Sequence, residues 1–431
     1  MKDTTYKHYL LAVLLVIYAF NNTDRLVLGL VLQNIKNDLL LSDTQLGLLT
    51  GIAFSFFYAL VGVPLSRWAD RGDRVVLIAA TTALWSVAVA LSGMAHSFTQ
   101  LLLIRILAAV GEAACLPAAF SMIADYFSRA ERPRALAIYY QGGTLSVLIG
   151  YLLGGWLNQF YGWRITLILL GVPGVCLALT AMLTLKEMRR STRVSEAAGA
   201  IPESQLASGS TPPSLREVLI TLWRQKTFRN LALFYAITAF FNTGVLQWQP
   251  AFFLRTYGLQ TGELGSWIAG IYGAGTLVGT YLGGEWASRR AGRNEPRQLK
   301  VMAIANACAG SVAAFTYLSA NWHWAFLWML LWCMVGTIAI GPVFATIQTL
   351  APARMRATAI SLIYLLANLI GMGLGPLAAG ALSDALQKWF AADSLRVALL
   401  ALCPGYVWAG WYLWKASKTV SGDLARVAVH E

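Results

Sequence analysis

Charged residues are scarce in this sequence. Asp, Glu, Lys and Arg make up only 12% of its 431 residues, whereas 57% are hydrophobic and the mean hydropathy is +0.58. Soluble domains contain about 25% charged residues. The scarcity of charge excludes an ordinary soluble domain and indicates a protein that crosses a membrane repeatedly.

Signatures of catalysis and of nucleotide-driven transport are also missing. The sequence has no GxxxxGK(S/T) loop, which disfavours an ATP-driven pump, and no nucleophile–base pair or metal-ligand spacing. Its five cysteines are odd in number, lack CxxC spacing and fall in apolar runs, so we interpret them as packing residues. No stretch resembles a cleavable signal peptide. We therefore expect neither an enzyme nor a bound cofactor or metal.

Long apolar runs, by contrast, are abundant. A helix needs roughly 20 residues to cross about 30 Å of hydrocarbon. By this measure the sequence predicts an all-α polytopic membrane protein with twelve transmembrane helices. The predicted segments run near 8–34, 43–67, 75–95, 98–126, 134–160, 163–186, 228–255, 263–287, 298–319, 322–350, 357–384 and 394–416.

Positive charge is unevenly distributed among the loops. If both termini are cytoplasmic, 26 of the 33 Lys and Arg are cytoplasmic, five lie on the opposite side, and Arg25 and Arg105 lie in the membrane. Basic residues favour the cytoplasm during insertion, so the net charge of +13 reflects orientation rather than nucleic-acid binding. We expect a monomeric integral protein of the plasma (inner) membrane, in contact with membrane lipid.

A hydrophilic stretch divides the segments into six plus six. Residues 187–227 are rich in Ser, Pro, Gly and charge, which predicts a cytoplasmic linker whose last part could form a short amphipathic helix. The linker separates an N-terminal half, residues 1–186, from a C-terminal half, residues 228–416. A cytoplasmic tail, residues 417–431, completes the predicted organisation.

The two halves repeat one another. "RALAIYY" at 134–140 aligns with "RATAISL" at 356–362, and "FNNTDRL" near residue 20 aligns with "FFNTGVL" near residue 240. Many secondary transporters are built from such parallel repeats, with the substrate site near the bilayer midplane. The repeat therefore predicts two six-helix pseudo-repeats and a transport function.

Four ionisable residues of the first half have neutral counterparts in the second. The aligned pairs are Asp24 with Gly244, Arg25 with Val245, Arg105 with Leu330 and Glu112 with Thr337. The sequence thus predicts a one-sided site. The first half supplies its charges, and the second half supplies apolar, aromatic and neutral polar groups.

The four charged side chains can meet within the membrane. Arg105 and Glu112 are about two helical turns apart on one face, and Asp24 falls between them in depth. Each intramembrane charge costs at least about 2.5–3.5 kcal/mol, which favours a functional role over a purely structural ion-pair network. Arginine keeps its proton and grips phosphate or carboxylate, whereas a carboxylate can change state. We predict a head-group and proton-coupling cluster of Asp24, Arg25, Arg105 and Glu112, with Glu112 as the proton acceptor.

Other polar residues within the apolar segments are weaker candidates. Each could line a substrate cavity or, alternatively, form a packing contact or an interhelical hydrogen bond. The predicted set is Asn21, Tyr139, Tyr140, Gln141, Asn242, Gln247, Tyr364 and Asn368.

The loop "SRWADRGDR" at 66–74 resembles the signature between helices two and three of the major facilitator superfamily. Asp70, Arg71 and Arg74 match its acid and arginines, while its glycine and its final basic residue are absent. The resemblance implies that these three residues form a gating loop.

Two further stretches resemble the Spinster group of lipid transporters within that superfamily, in a bacterial member. They are "NTDRLVLGLVLQNIKNDLLLSDTQLGLL" and "RILAAVGEAACLPAAFSMIADYFSRAERPRALAIYY". Glycines 150, 154 and 155 are similar to the antiporter motif of exporters but lack its proline. The resemblance is clear over the N-terminal half and generic over residues 228–416. It implies proton-coupled alternating access, antiport, and an anionic lipid substrate such as a lysophospholipid or sphingosine phosphate.

Three functions remain open when the residues and the resemblance are taken together. The first is a secondary transporter of an amphiphilic anion driven by a proton gradient, which the one-sided cluster favours. The second is a proton-linked drug, sugar or organic-anion exchanger of the same superfamily. A receptor or scaffold, the third, would need neither paired midplane charges nor a gating loop.

Overall fold

The computed structural model describes residues 2–128, 130–188, 215–290, 294–352 and 355–430, and in these residues every regular element is helical. Helices α1 to α8 cover Lys2–Leu39, Asp43–Thr50, Ile52–Arg71, Arg74–Ser92, Phe98–Glu112, Cys115–Tyr126, Arg132–Leu148 and Gly154–Thr184. Helices α9 to α18 cover Leu215–Arg224, Lys226–Tyr257, Thr261–Arg290, Glu295–Leu318, Trp322–Thr337, Ile340–Leu350, Arg356–Leu366, Gly373–Phe390, Ser394–Leu402 and Gly405–His430.

Nine stretches within the described residues are long and apolar enough to cross a membrane. One of them, Arg132–Thr184, contains two predicted segments and is interrupted at Gly162, which has a φ of 75°. Another, Thr358–Arg426, contains the last two and is interrupted by a 3-10 turn at Ala391–Asp393. Predicted segment 263–287 lies in α11, which is not among the nine. The all-helical membrane fold is confirmed, while the count of twelve spans stays a prediction.

The internal repeat extends to irregularities of the helices. Two π-helical stretches, Ile149–Leu153 and Ala367–Met372, join α7 to α8 and α15 to α16. Predicted segments 98–126 and 322–350 are each divided into two helices, α5 with α6 and α13 with α14. Because π-helical turns are rare, their occurrence at corresponding positions supports common construction of the two halves.

The described residues pack into two units. They are the described residues within Met1–Leu41, Ala53–Ser210 and Thr261–Gly265, and those within Ser42–Ile52, Thr211–Gln260 and Ser266–Glu431. Two short segments are therefore grouped apart from their neighbours in sequence: α2 with the second unit, and the start of α11 with the first. The predicted division at the linker stays a prediction in its exact bounds.

Each unit has its own apolar core. In the first unit, α1, α4, α6 and α7 contribute buried side chains such as Leu14, Met122 and Tyr139. In the second, α10, α12, α14 and α18 contribute side chains such as Phe228 and Val343. Lipid is as apolar as these residues, so close van der Waals packing stabilises the helix contacts.

The predicted linker is described only at its two ends. Residues 189–214 lie outside the described residues, and α9 covers the predicted short amphipathic helix. The predicted tail at 417–431 begins as a continuation of α18. Asp423 in that continuation accepts a hydrogen bond from the backbone N–H of Thr227 at 2.8 Å.

Candidate functional site

Asp24 and Arg25 lie in the middle of α1, which continues unbroken through them. Adjacent helical residues point about 100° apart, so the two side chains leave the helix in different directions. Asp24 is 2% exposed, whereas the side chain of Arg25 is 22% exposed. The predicted charged site is therefore built on a continuous helix rather than on an irregular segment.

The four charges form two crossed ion pairs between α1 and α5. Nη1 of Arg105 donates to Oδ2 of Asp24 at 2.7 Å. Nε of Arg25 donates to Oε2 of Glu112 at 2.8 Å, and its Nη2 donates to the same oxygen. Each helix thus contributes one arginine and one carboxylate, and each arginine pairs with the other helix.

The cluster is buried but incompletely hydrogen-bonded. Glu112 is 1% exposed and Arg105 4% exposed. Oδ1 of Asp24, Oε1 of Glu112 and Nε of Arg105 are buried without a hydrogen-bond partner. A buried polar atom without a partner costs free energy, so these atoms remain available to a ligand group or a proton.

Aromatic rings from α3 cover the two arginines. The guanidinium carbon of Arg25 lies 4.4 Å from the centre of the Phe54 ring, and that of Arg105 lies 5.1 Å from the same centre. Tyr58, one turn further along, lies 5.3 Å from Arg25 and stacks on Phe54. Phe54 was not among the residues predicted from the sequence, because nothing distinguishes it there from the other phenylalanines.

Close helix packing holds Glu112 in place. A Cβ atom at the preceding residue, Gly111, would lie 2.6 Å from the backbone nitrogen of Trp85 on α4. Only glycine permits this approach, and Trp85 itself is fully buried. The contact fixes the end of α5 against α4 and so sets the height of the Glu112 carboxylate.

Arg74, from the predicted gating loop, forms a buried polar centre at the start of α4. Its Nε donates to both oxygens of Glu187 at 3.1 and 3.0 Å, and its Nη2 also donates to that carboxylate. Nη1 donates to Oδ2 of Asp125 at 2.6 Å and to Oγ of Ser121 at 3.0 Å. Arg74 therefore ties α4 to the end of α6 and to the residues after α8.

The structure gives less detail about the other two predicted loop residues, Arg71 and Asp70. Arg71 ends α3 with an exposed side chain. The side chain of Asp70 lies outside the described residues. The gating role of the loop stays a prediction.

The predicted cavity residues of the first unit have different environments. Asn21 is buried on α1, and Tyr139 is fully buried, with its ring stacked on Tyr18 at 4.8 Å. Tyr140 and Gln141 are exposed. Tyr139 therefore belongs to the core of the unit, while its exposed neighbours remain candidates for substrate contact.

The second unit contains a cavity of about 340 Å³ that brings together three of the predicted residues: Asn242, Tyr364 and Asn368. Gln247, also predicted, is not among its lining residues. The cavity is lined by Phe234, Tyr235, Thr238, Ala239, Asn242, Thr243, Leu246, Asn306, Gly336, Thr337, Ala339, Ile340, Val343, Tyr364, Ala367, Asn368 and Met372. None of these residues is charged, in agreement with the neutral second half expected from the repeat.

Gly244, the counterpart of Asp24, serves a packing role in the second unit. A Cβ atom there would lie 2.8 Å from the carbonyl oxygen of Gly375, so α10 and α16 make a close backbone contact. Val245, the counterpart of Arg25, is fully buried. The repeat position therefore supports tight helix packing in one unit and charge in the other.

Comparisons with known proteins agree with this architecture. A family model described as Major Facilitator Superfamily matches residues 14–376. A protein of Mycolicibacterium smegmatis described as an MFS-type efflux pump is 30% identical over 417 residues, which are 96% of this chain and 94% of that protein. A probable L-galactonate transporter of Escherichia coli K12 is 28% identical over 281 residues, which are 63% of this chain and 60% of that protein.

A solved structure also matches nearly the whole chain. It is the crystal structure of a bacterial homologue of the human lysosomal transporter Spinster, in an inward-facing and unoccupied conformation. The TM-score is 0.83 at 29% sequence identity, covering 97% of this chain and 98% of that chain. The resemblance predicted from the residues of the first half is thereby confirmed over both halves.

Proposed function

Because the chain belongs to the major facilitator superfamily, we propose that it is a secondary active transporter that moves an amphiphilic anion by proton-coupled alternating access. Lysophospholipids and sphingosine phosphate are the proposed substrates. The observation that carries the proposal is the crossed pair of buried ion pairs between α1 and α5. A structural network would be expected to satisfy its buried atoms, whereas this one leaves an oxygen unpaired on each carboxylate.

Arg25 is the proposed point of entry for the substrate anion. Its side chain is 22% exposed, whereas Glu112, its partner, is fully buried. A guanidinium binds phosphate or carboxylate with two parallel hydrogen bonds. An arriving anionic head group can therefore compete with Glu112 for Arg25 while the Asp24–Arg105 pair stays intact.

Charge balance links this competition to a proton. Two carboxylates and two guanidiniums are neutral together, and an added anion leaves one excess negative charge in a buried site. Protonation of Glu112 removes that charge, and desolvation makes an uncompensated charge costly. One proton is thus bound for each singly charged anion that binds Arg25.

The uncharged cavity of the second unit, taken by itself, has the chemistry to bind neutral hydroxylated and apolar groups. The side-chain amides of Asn242 and Asn368 offer both donors and acceptors, and neither side chain makes a hydrogen bond within the described residues. Oγ1 of Thr238 is buried there without a partner. Glycerol or sphingoid hydroxyls would supply the missing bonds, and the aromatic rings would contact the first methylenes of the tail.

The same polar groups favour a second candidate, a hydroxylated organic acid such as a sugar acid. Arg25 in the first unit can bind a carboxylate, and Asn242 and Asn368 in the second unit can bind hydroxyl groups. The similarity to a probable L-galactonate transporter supports this alternative. A sugar acid has no apolar tail and so needs no apolar wall. The rings and aliphatic residues of the cavity nevertheless provide such a wall, which favours the lipid.

Reconstitution into liposomes tests the proposal. Purified protein is supplied with a panel of lysolipids, sugar acids and neutral sugars, with and without an imposed proton gradient. We expect net accumulation of lysolipids only when a gradient is present. Movement of sugar acids but not of lysolipids would favour the second candidate, and movement of neutral sugars alone would contradict both.

The direction of the effective gradient tests the form of coupling. Joint binding of the anion and the proton favours symport, in which the anion moves in the same direction as the proton. Antiport, which glycines 150, 154 and 155 favour, requires alternate occupation of the site and movement of the anion against the direction of the proton. We further propose an inner-membrane orientation with both termini cytoplasmic, supported by the uneven distribution of Lys and Arg.

A further inference from the structure

We propose that Phe54 is a positioning residue for proton coupling. Its ring contacts the guanidiniums of Arg25 and Arg105 and favours the state in which Glu112 carries a proton. The inference rests on the proposed function in one respect, which is that Glu112 is the proton acceptor. It adds a residue that neither binds the anion nor exchanges the proton.

The ring lies against both arginines of the cluster. The guanidinium carbons of Arg25 and Arg105 are 4.4 and 5.1 Å from its centre, both within the range of a cation–π contact. Phe54 is 1% exposed, so its ring is shielded from water. Two cations from different helices therefore meet the same desolvated aromatic ring.

The two protonation states of Glu112 leave Arg25 in different situations. While Glu112 is ionised, Arg25 contacts its carboxylate at 2.8 Å and has its counter-ion. When Glu112 is protonated and no anion is bound, Arg25 keeps its charge but loses that counter-ion. The electron-rich faces of Phe54 and Tyr58 then stabilise the cation together with the Asp24 carboxylate, which also acts on Arg25.

The ring therefore acts more strongly on the protonated state than on the ionised state. A cation and an anion side by side present a smaller net charge to the ring than the cation alone. The negative ring face also disfavours a nearby carboxylate anion. Both effects make proton uptake easier, and both are lost when the ring is replaced by an aliphatic side chain of similar size.

The other ionisable groups near Glu112 do not change in such a replacement. Those that act on it are Asp24 and Arg25 on α1, Tyr58 on α3, Arg105 on α5 and Cys115 on α6. Phe54→Leu leaves each of these side chains present and keeps the site apolar. A change in the titration of Glu112 would therefore report the loss of the ring itself.

Infrared titration of purified protein in lipid nanodiscs tests the inference without substrate. The carboxyl band of protonated Glu112 is identified by its loss in Glu112→Gln. The intensity of this band is then measured across a pH series, and the pH at which half of it is lost is the midpoint of the titration. We expect Phe54→Leu to move this midpoint toward acid by about one pH unit, the scale of a desolvated cation–π contact. Phe56→Leu, the same change on the exposed face of α3, should leave it unmoved.

A second variant keeps the test valid if Phe54→Leu does not fold. Phe54→trifluorophenylalanine preserves the shape of the ring and weakens its quadrupole, so it should move the midpoint in the same direction by a smaller amount. An unchanged midpoint in the folded Phe54 variants, beside a titrating wild-type band, would overturn the inference alone. A wild-type protein with no titrating Glu112 band would overturn the proposed proton acceptor, and the inference with it.

Discussion

Asp43 and Arg255 form a bidentate ion pair although they are 212 residues apart in sequence. Nη1 and Nη2 of Arg255 donate to the two oxygens of Asp43, each at 2.7 Å, and Oγ of Ser383 donates to one of them at 2.7 Å. Asp384 accepts from the backbone N–H groups of Asp43 and Thr44 at 3.0 and 2.7 Å. Charge and capping together hold α2 within the second unit.

We expect Asp43→Asn to lower the thermal stability of the protein. The substitution leaves the Arg255 guanidinium without its anion, and breaking a buried pair costs about 3–5 kcal/mol. The measurement is the apparent melting temperature in detergent. Glu285→Gln, which breaks the exposed pair with Arg289, is the control and should cost under about 1 kcal/mol. Equal shifts in the two variants would contradict the structural importance of the Asp43 pair.

Arg74→Lys should destabilise the predicted gating loop despite keeping the positive charge. A lysine cannot reproduce the forked contact to Glu187 while also reaching Asp125, so buried acceptors lose their donors at about 1–3 kcal/mol each. Hydrogen–deuterium exchange at the start of α4 and the end of α8 measures the effect. Arg67→Lys, on the exposed face of α3, should leave exchange unaltered. Unaltered exchange in Arg74→Lys would show that the buried fork is dispensable.

Glu131 should contribute a pH-dependent term to stability. The hydrogen bond from Lys7, at 2.6 Å, and those from Ser128 lower the pKa of its carboxyl to about 2. A depressed pKa in the folded state means that the contribution is present above the ordinary value of about 4.3 and is lost as pH falls toward 2.

The check is the difference in melting temperature between wild type and Glu131→Gln. It should be largest near neutral pH and shrink steadily as the solution is acidified below about pH 4. Glu263→Gln, another exposed carboxylate, corrects for general effects of removing negative charge. A difference that stays constant with pH would show that the contact with Lys7 does not depend on ionisation.

The cavity of the second unit should discriminate substrates by their hydroxyl groups. We expect Asn242→Ala and Asn368→Ala each to weaken binding by roughly 2- to 12-fold, the range of one neutral hydrogen bond. Binding of an analogue without the hydroxyl should change less. Gln247→Ala is the matched control, since Gln247 does not line the cavity. If the two ligands lost affinity equally, these asparagines would not recognise hydroxyl groups.

The charged cluster could be predicted because charge is costly in a membrane. Asp24, Arg25, Arg105 and Glu112 stand out in apolar runs, and helix geometry brings them to similar depth. Their pairing could not be predicted in the same way. Adjacent residues on a helix point in different directions, and the positions of α1 and α5 within the folded unit decide that Arg25 meets Glu112 and Arg105 meets Asp24.

Long-range contacts of uncharged or loop residues were beyond prediction for another reason. Phe54 is one of 18 phenylalanines, and periodicity does not reveal which ring faces a cation. In the sequence, Asp43 looks like an ordinary acidic residue in the first turn of a helix. Its partner Arg255 lies in the other half of the sequence. Likewise, the fully buried Tyr139 could not be distinguished from its exposed neighbour Tyr140.

The pH dependence of transport by Glu112→Gln is the most direct test of the proposed coupling. Uptake of a lysophospholipid into proteoliposomes is measured across a pH series and, separately, as exchange without a gradient. We predict that the variant loses its response to pH and to the gradient while exchange continues, since glutamine still fills the site but takes no proton. Full pH-dependent, gradient-driven transport by Glu112→Gln, equal to that of the Glu263→Gln control, would contradict the account.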